Sequence, residues 1–428
     1  MVNVKLPTAG ESKVNITVGF DGVDEQNTRE VSVREVTLGE SLLTPGLQTS
    51  VLLNSFLHAS PDGKGEVGPP KNFDDFKNKI MDIRIERELL KDFNMQSTLD
   101  VSQRIYRLSD RGGGKDESGK TVLNNNNEQF RVHACDDSLL NDARSLVSKS
   151  WRCTAPSDIV SEVLQGCAGV RSLDVESCTP MRDYIAENIH PFQVVTQQAN
   201  AALAGGNDPS FVHYMTYENG ATHHFRSIYS LTKQNLPIEK PFVFTETGAA
   251  AGYGNPYSIL SYNFPCDFDL LSDILNGIDV DGSFISSGIF SNVLGGFFSL
   301  MGNQAVGCGL GGGNMNLGKT NYNTEKAQDQ CPSEIEKYLL KRQARMSLLE
   351  QDKIALSLTV PWNPMLHAGK MIDVEFPRKG VEGGGSTDNL LYGSGRYLIV
   401  NLTHTIKSGG FSTTTMECVA QTVGQGIV

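Results

Sequence analysis

The hydrophobic pattern of this chain has a period of two over most of its length, the signature of half-buried strands. In Lys353–Pro361, Ile354, Leu356, Leu358 and Val360 fall on one face and Ala355, Ser357 and Thr359 on the other. Lys370–Pro377 repeats the alternation, with Ile372, Val374 and Phe376 opposite Met371, Asp373 and Glu375. Arg396–Lys407 and Gly410–Gln421 complete a set of strands separated by Gly-rich turns. The N-terminal part reads the same way. Val14, Ile16, Val18 and Phe20 alternate, as do Met81, Ile83 and Ile85, and β-rich runs cover Arg29–Leu38, Leu47–Asn54 and Ser97–Leu108. Half-apolar sheets must close on themselves or pack on another layer, so the N-terminal strands are expected to form a first β-barrel or sandwich, and the C-terminal strands a second sheet that closes or packs in the same way.

Between the ends the period changes. After a polar loop, Arg111–Gln129, Asp136, Asp137 and Ser138 can cap a helix with Leu139, Ala143 and Leu146 in one stripe. Ala155-Pro156-Ser157-Asp158 opens a second helix, with Ile159, Val160, Val163 and Leu164 on one side and Gly166 as its stop. A third starts near Pro191, carries Phe192, Val195, Ala199 and Ala202, and ends at Gly205-Gly206. Phe211–Tyr217 and Thr222–Ile228, joined through Asn219-Gly220, predict a hairpin. The expected fold class is thus β-rich α+β, two antiparallel β-barrels with an inserted α+β domain. Residues 129–232 form the insert, 233–345 a connection with the start of the second barrel, and 346–428 the second-barrel strands. The first barrel spans 1–128, completed by strands after about 232. Pro332–Arg345 predicts a short polar helix leading into the last strands.

At 428 residues, with 39% hydrophobic and 20% charged residues, the composition is that of an ordinary globular protein. A formal net charge of −12 argues against an extended nucleic-acid-binding face, which needs clustered Lys and Arg. Met1–Lys13 is polar and lacks the apolar stretch of a signal peptide. Eight cysteines without a Cys-x-x-Cys spacing read as reduced thiols.

Candidate chemistry is sparse. Gly114–Thr121 fits the phosphate-binding loop GxxxxGK[ST], with Lys120 and Thr121 in the reactive positions, which would make the protein a nucleotide hydrolase. That motif needs a helix to start at the lysine so that its positive end faces the phosphates. Here Val122-Leu123 leads into four asparagines, and Asp116 and Glu117 would place negative charge in the cradle. A polar hairpin loop accounts for it better. Gly307–Gly312 fits GxGxxG, but lies in a glycine-saturated run with no following helix. A two-residue turn at Asn219-Gly220 would set Met215 opposite His224, with His213 diagonal to His224, and two imidazoles there could bind a metal. Asp267 and Asp269 read as surface charge. Gly282–Gly318 contains no charged residue. Its Phe284–Leu300 portion raises membrane activity as an alternative, countered by Gly, Ser and Asn throughout and by the lack of a basic flank. Burial in the barrel core or against a neighbouring subunit is the favoured reading, without stable membrane insertion. No catalytic, cofactor-binding or metal-binding residue is assigned.

The order of these parts is similar to the tail baseplate hub proteins of contractile-tailed bacteriophages and to the hub portion of type VI secretion spikes. Gln129–Trp151, with SLLNDARSLVSKSW, resembles that family's passage from first barrel to insert. Pro191–Ile228 is similar to its helix followed by a hairpin. Arg345–Phe376 resembles the opening strands of its last barrel, and Gly393–Cys418 the closing hairpin. The resemblance implies a non-enzymatic virion protein, made in the host cytoplasm and built into the tail baseplate as a homotrimer. Its first barrel would be the tube-docking type. Two barrels per subunit, three times repeated, would give a pseudo-sixfold ring. Its implied partners are the hexameric tail tube and the trimeric central spike, with baseplate wedge or tape-measure proteins beside them. DNA would pass through the axial channel without specific binding, and no cofactor is implied.

Overall fold

In the computed structural model the described residues are 2–4, 14–21, 31–56, 58–59, 66–67, 73–113, 127–205, 208–244, 254–266, 342, 345–347, 349, 354–376, 393–407 and 411–420. The Lys120/Thr121 loop, Asp267, Asp269, the Gly282–Gly318 segment, the Gly307–Gly312 motif and all of Pro332–Arg345 except Arg342 and Arg345 lie outside them.

The N-terminal part contributes β1 (Val2–Val4), β2 (Val14–Asp21), β3 (Val31–Ser41), β4 (Gln48–Phe56), β5 (His58–Ala59), β6 (Glu66–Val67), β7 (Ile80–Arg87), β8 (Thr98–Gly113) and β9 (Asn127–Cys135). The middle contributes α1 (Asp137–Arg144), β10 (Val147–Thr154), α2 (Pro156–Gly166), β11 (Ser172–Val175), β12 (Arg182–Ile189), α3 (Pro191–Ala201), β13 (Phe211–Thr216), β14 (Thr222–Ser227) and the single turn α4 (Ile228–Leu231). The remainder contributes β15 (Phe242–Phe244), β16 (Ser258–Ile259), β17 (Ser261–Asn263), β18 (Leu356–Pro361), β19 (Met371–Glu375), β20 (Gly395–Lys407) and β21 (Thr413–Val419). The protein is β-rich α+β, as the alternation predicts.

The two ends do not form separate sheets. Fourteen strands share one sheet, running β1-β2-β7-β8-β9-β4-β3-β20-β19-β15-β16, with β21, β18 and β17 branching from β20. No pairing among the described residues closes either end into a barrel. The fusion is the work of β20, whose thirteen residues serve two neighbours end to end. Gly395–Leu398 pairs with β19, Asn401–Lys407 pairs with β3, and β21 lies along Leu398–Thr405. The β20–β21 register shifts between Ile399 and Asn401. A bulge bends a strand and increases its twist, and here it falls where β20 passes from one partner to the other.

Two apolar cores flank this handover. One gathers inward residues of β2, β3, β4, β7, β8 and β9, including Ile16, Val36, Val51, Ile83, Val101 and Val132. The other gathers Leu356, Leu358, Val374, Ile399, Leu402 and Met416 from the C-terminal strands. Trp362, covalently part of the second group, packs in the first.

In the middle region α2 and α3 bury the predicted faces: Val160, Leu164, Phe192, Val195 and Ala199 share a cluster with Phe211 and Phe225 of the hairpin. The first helix departs from expectation. It ends at Arg144, and Leu139 and Leu146 are exposed at 37% and 53%. Its buried side chain is the polar Ser138, because the helix is anchored by caps and hydrogen bonds more than by its apolar stripe. Asp136 accepts from Ser138 N at 2.8 Å, and Asp142 accepts from Phe192 N at 2.7 Å. No helix among the described residues is long and apolar enough to cross a membrane.

Candidate functional site

Glu40 occupies an inward position of β3, in phase with Val36 and Leu38, and its side chain is fully buried. A buried carboxylate is tolerated only when its lone pairs are matched. Three donors from distant parts of the chain match them. Tyr217 N at the hairpin tip donates to Oε1 at 2.7 Å, His367 Nδ1 to Oε1 at 2.9 Å, and Ala368 N to Oε2 at 2.7 Å. Burial pushes the Glu40 pKa up, but His367, the Tyr217 N–H and His404 outweigh it and leave it below the ordinary value. Glu40 therefore ties the N-terminal strands, the middle region and the β18–β19 connection together as a carboxylate.

Around this point lie further joints. The Tyr217 hydroxyl donates to Gln48 O at 3.0 Å and pairs with Thr49 Oγ1 at 2.8 Å. Arg87, only 1% exposed and in phase with Met81, Ile83 and Ile85, donates from one guanidinium nitrogen to Trp362 O at 2.7 Å. Sequence reasoning assigned neither Glu40 nor Arg87. The available signal was a charged residue standing in the apolar phase of an alternating strand.

The histidine arrangement is corrected by the register of the hairpin. Thr216 pairs with Thr222, so the loop is Tyr217–Ala221 and Met215 faces His223, while Tyr214 faces His224. The expected two-residue turn is wrong by one position, and one position moves every side chain to the other face. Asn219 and Gly220 have positive φ of 54° and 97°, as the Asn-Gly signal implies, but a turn closed from Gly220 N to Tyr217 O enlarges the loop. His213 accordingly meets His223, with Nε2 to Nδ1 at 3.0 Å, and Ser138 Oγ lies 2.9 Å from the other nitrogen of His223. Phe192 packs edge-on against both rings. Among the described residues no group of three His, Cys, Asp or Glu side chains is placed to hold a metal ion.

Burial lowers the pKa of His213 well below the ordinary 6.5, and lowers that of His223 to about 4 against the opposing pull of Asp136. Both rings are neutral in the folded protein at pH 7. The unfolded chain binds protons on them from pH 6.5 downward while the folded chain does not, so stability is full above 6.5 and falls as pH drops toward 4. For His223 the loss is on the order of 2–3 kcal/mol. Urea unfolding at pH 7.0 and 4.5 should show this slope, and His223→Gln should flatten it. An equal slope in the variant would refute the assignment.

His224 makes a different set. Its Nδ1 lies 3.1 Å from Asp174 Oδ2 and its Nε2 3.0 Å from Thr216 Oγ1. An acid, an imidazole and a hydroxyl in series have the outline of a nucleophile relay. Thr216 is completely buried, however, so its hydroxyl cannot meet a substrate. The set is a structural brace, and the region's visible chemistry is to join segments.

No protein-family model and no curated protein sequence matches this chain. Among solved structures, a type VI secretion component of E. coli, described as structurally similar to the phage T4 tail proteins gp27 and gp5, matches 96% of this chain and 79% of its own. Its TM-score is 0.46 at 10% identity. A tail protein of Neisseria meningitidis matches 95% of this chain and 96% of its own, with a TM-score of 0.48 at 8% identity. The 43 kDa tail protein of prophage MuSo2 from Shewanella oneidensis matches 95% of this chain and 97% of its own, with a TM-score of 0.50 at 8% identity. The chain shares its fold, nearly end to end, with that prophage tail protein.

Proposed function

We propose that this chain is a structural virion protein, the trimeric baseplate hub of a contractile phage tail. It would join the hexameric tail tube to the trimeric central spike around an axial channel. The observation that carries this reading is the likeness in fold to a prophage tail protein over almost the full length of both chains. Two cores of antiparallel strands fused through β20 support it as well. In this reading each core belongs to one barrel-like unit, residues 1–128 with later strands and 346–428 with the connection before it. Residues 129–232 are the insert. Three copies then offer six similar units to a sixfold partner and three identical ones to a threefold partner. The net charge of −12 suits a channel through which DNA slides without adhering.

The purified protein should have a solution mass three times its chain mass of 46.6 kDa, and should co-sediment with the cognate tube and spike proteins. A chain that stays monomeric in the presence of both would overturn the proposal.

A further inference from the structure

Strands β7 and β8, the start of α1, the turn before β11 and the β13–β14 loop enclose a cavity of about 370 Å3. One of its wall residues, Gln103, breaks the apolar phase of β8. Leu99, Val101, Gln103 and Ile105 alternate with exposed neighbours and are all buried, at 2–3% exposure. Gln103 is thus a polar side chain at a core position, as Glu40 and Arg87 are. It differs from them in that neither Nε2 nor Oε1 has a hydrogen-bond partner among the described residues. Buried side-chain amides ordinarily find partners, and a bond left unmade costs the folded state. The space beside it is far larger than the roughly 30 Å3 that one water occupies in the liquid.

Most other polar groups of the wall already have partners. Asp137 accepts from Arg104 Nε at 2.5 Å and Nη2 at 3.1 Å, and Asp136 Oδ1 accepts from Ser138 N at 2.8 Å. Ser138 and His223 bond each other, and Asn141 Nδ2 donates to Ala168 O at 3.1 Å. With the exposed Arg171, the wall carries two carboxylates and two guanidiniums beside a neutral His223 ring. Those charges sum to zero, so the wall selects no ion. What it leaves unmatched is one donor and one acceptor side by side on a neutral amide. A primary carboxamide carries the complementary N–H and C=O on one edge and closes both bonds at once. A trans peptide group presents its N–H and C=O on opposite sides and closes only one. A nucleobase edge also matches a side-chain amide, but the net charge of −12 opposes the phosphates that come with it.

We propose that this cavity receives a primary carboxamide, paired with the Gln103 amide through two hydrogen bonds, its source being a glutamine or asparagine side chain of a partner protein. The site does not depend on the hub assignment and can fail or stand apart from it.

The test is saturation-transfer NMR on the full-length protein with four probes: propionamide, N-acetylglutamine methylamide, N-methylpropionamide and adenosine monophosphate. The two primary carboxamides should bind saturably, with affinity in about the millimolar range. N-methylpropionamide, a trans secondary amide, should bind roughly tenfold more weakly, the effect of one lost hydrogen bond, and the nucleotide should not bind. Gln103→Leu and Gln103→Met should each weaken propionamide binding by roughly tenfold or more. Both should also raise the urea midpoint above wild type, since each removes an amide that is unpartnered in the free protein. A lowered midpoint in both variants would mean that the amide is already satisfied, by water or a neighbour, and would overturn the site. So would unchanged propionamide binding in both variants, failure of both primary carboxamides to bind, or binding of the nucleotide. Equal binding of N-methylpropionamide would overturn the two-bond pairing, and binding of propionamide alone would overturn the assignment to a side chain carried on a polypeptide.

Discussion

Replacing Glu40 by alanine is expected to destabilise the protein by about 3–5 kcal/mol, the usual cost of removing one partner from a buried ionic set. The reason lies in what remains. His367 Nδ1 and the N–H groups of Tyr217 and Ala368 lose their common acceptor in a place water does not reach. Glu40→Gln is expected to cost less, about 1–3 kcal/mol. Its one carbonyl oxygen can serve two of the donors, while its NH2 must face the third. The pH dependence separates charge from shape. Because the folded pKa of Glu40 lies below the ordinary 4.5, its contribution is present above that value and lost as pH falls through the folded pKa. The gap between wild type and Glu40→Gln should therefore narrow as pH falls below 4.5. Urea midpoints at pH 7 and pH 3.5 measure both effects. A Glu40→Ala midpoint within 1 kcal/mol of wild type, by the same slope, would show that the three segments are held by packing alone.

Most strands were legible because their burial follows a strict alternation. β2 buries Val14, Ile16 and Val18, β7 buries Met81, Ile83 and Ile85, and β18 buries Leu356, Leu358 and Val360. The helices α2 and α3 were legible for the matching reason at period 3.6. What escaped was whatever depends on partners distant in sequence. Alternation in β3 and β20 marks two half-buried strands, but nothing in either marks that they pair with each other. β10, β11 and β12 passed unread, since each is mostly exposed or half-buried and the pattern has little contrast. The histidine register failed through loop length, a matter of one backbone hydrogen bond. Glu40 and Arg87 look like ordinary surface charge until their strand phase is considered, and their partners lie 327 and 275 residues away.

Trp362→Ala should rank with Glu40→Ala, at about 3–5 kcal/mol, because the indole is fully buried and its removal leaves a cavity that a sheet cannot collapse to fill. Its location gives the loss a wider reach than a core residue normally has. The residue follows β18, in the C-terminal strands, yet its ring packs among β2–β9 side chains with Met215 and Tyr217 of the hairpin and Ile406 of β20. Its backbone is held on both sides, since Trp362 N donates to Ser412 O at 3.0 Å and Trp362 O accepts from Arg87 at 2.7 Å. The ring therefore cannot retreat with its own strand group, and the two cores are coupled through it. Trp362→Phe should recover most of the loss, as it keeps an aromatic in the same place. In the alanine variant Trp151, packed between β10, β12, α2 and α3, becomes the only indole and reports the middle region alone. Its fluorescence midpoint in urea should then lie above the midpoint seen by circular dichroism of the sheet, whereas in the wild type the sheet and the middle region should unfold together. Coincident midpoints in the variant would mean that the Glu40 joint alone suffices to couple the middle region to the sheet.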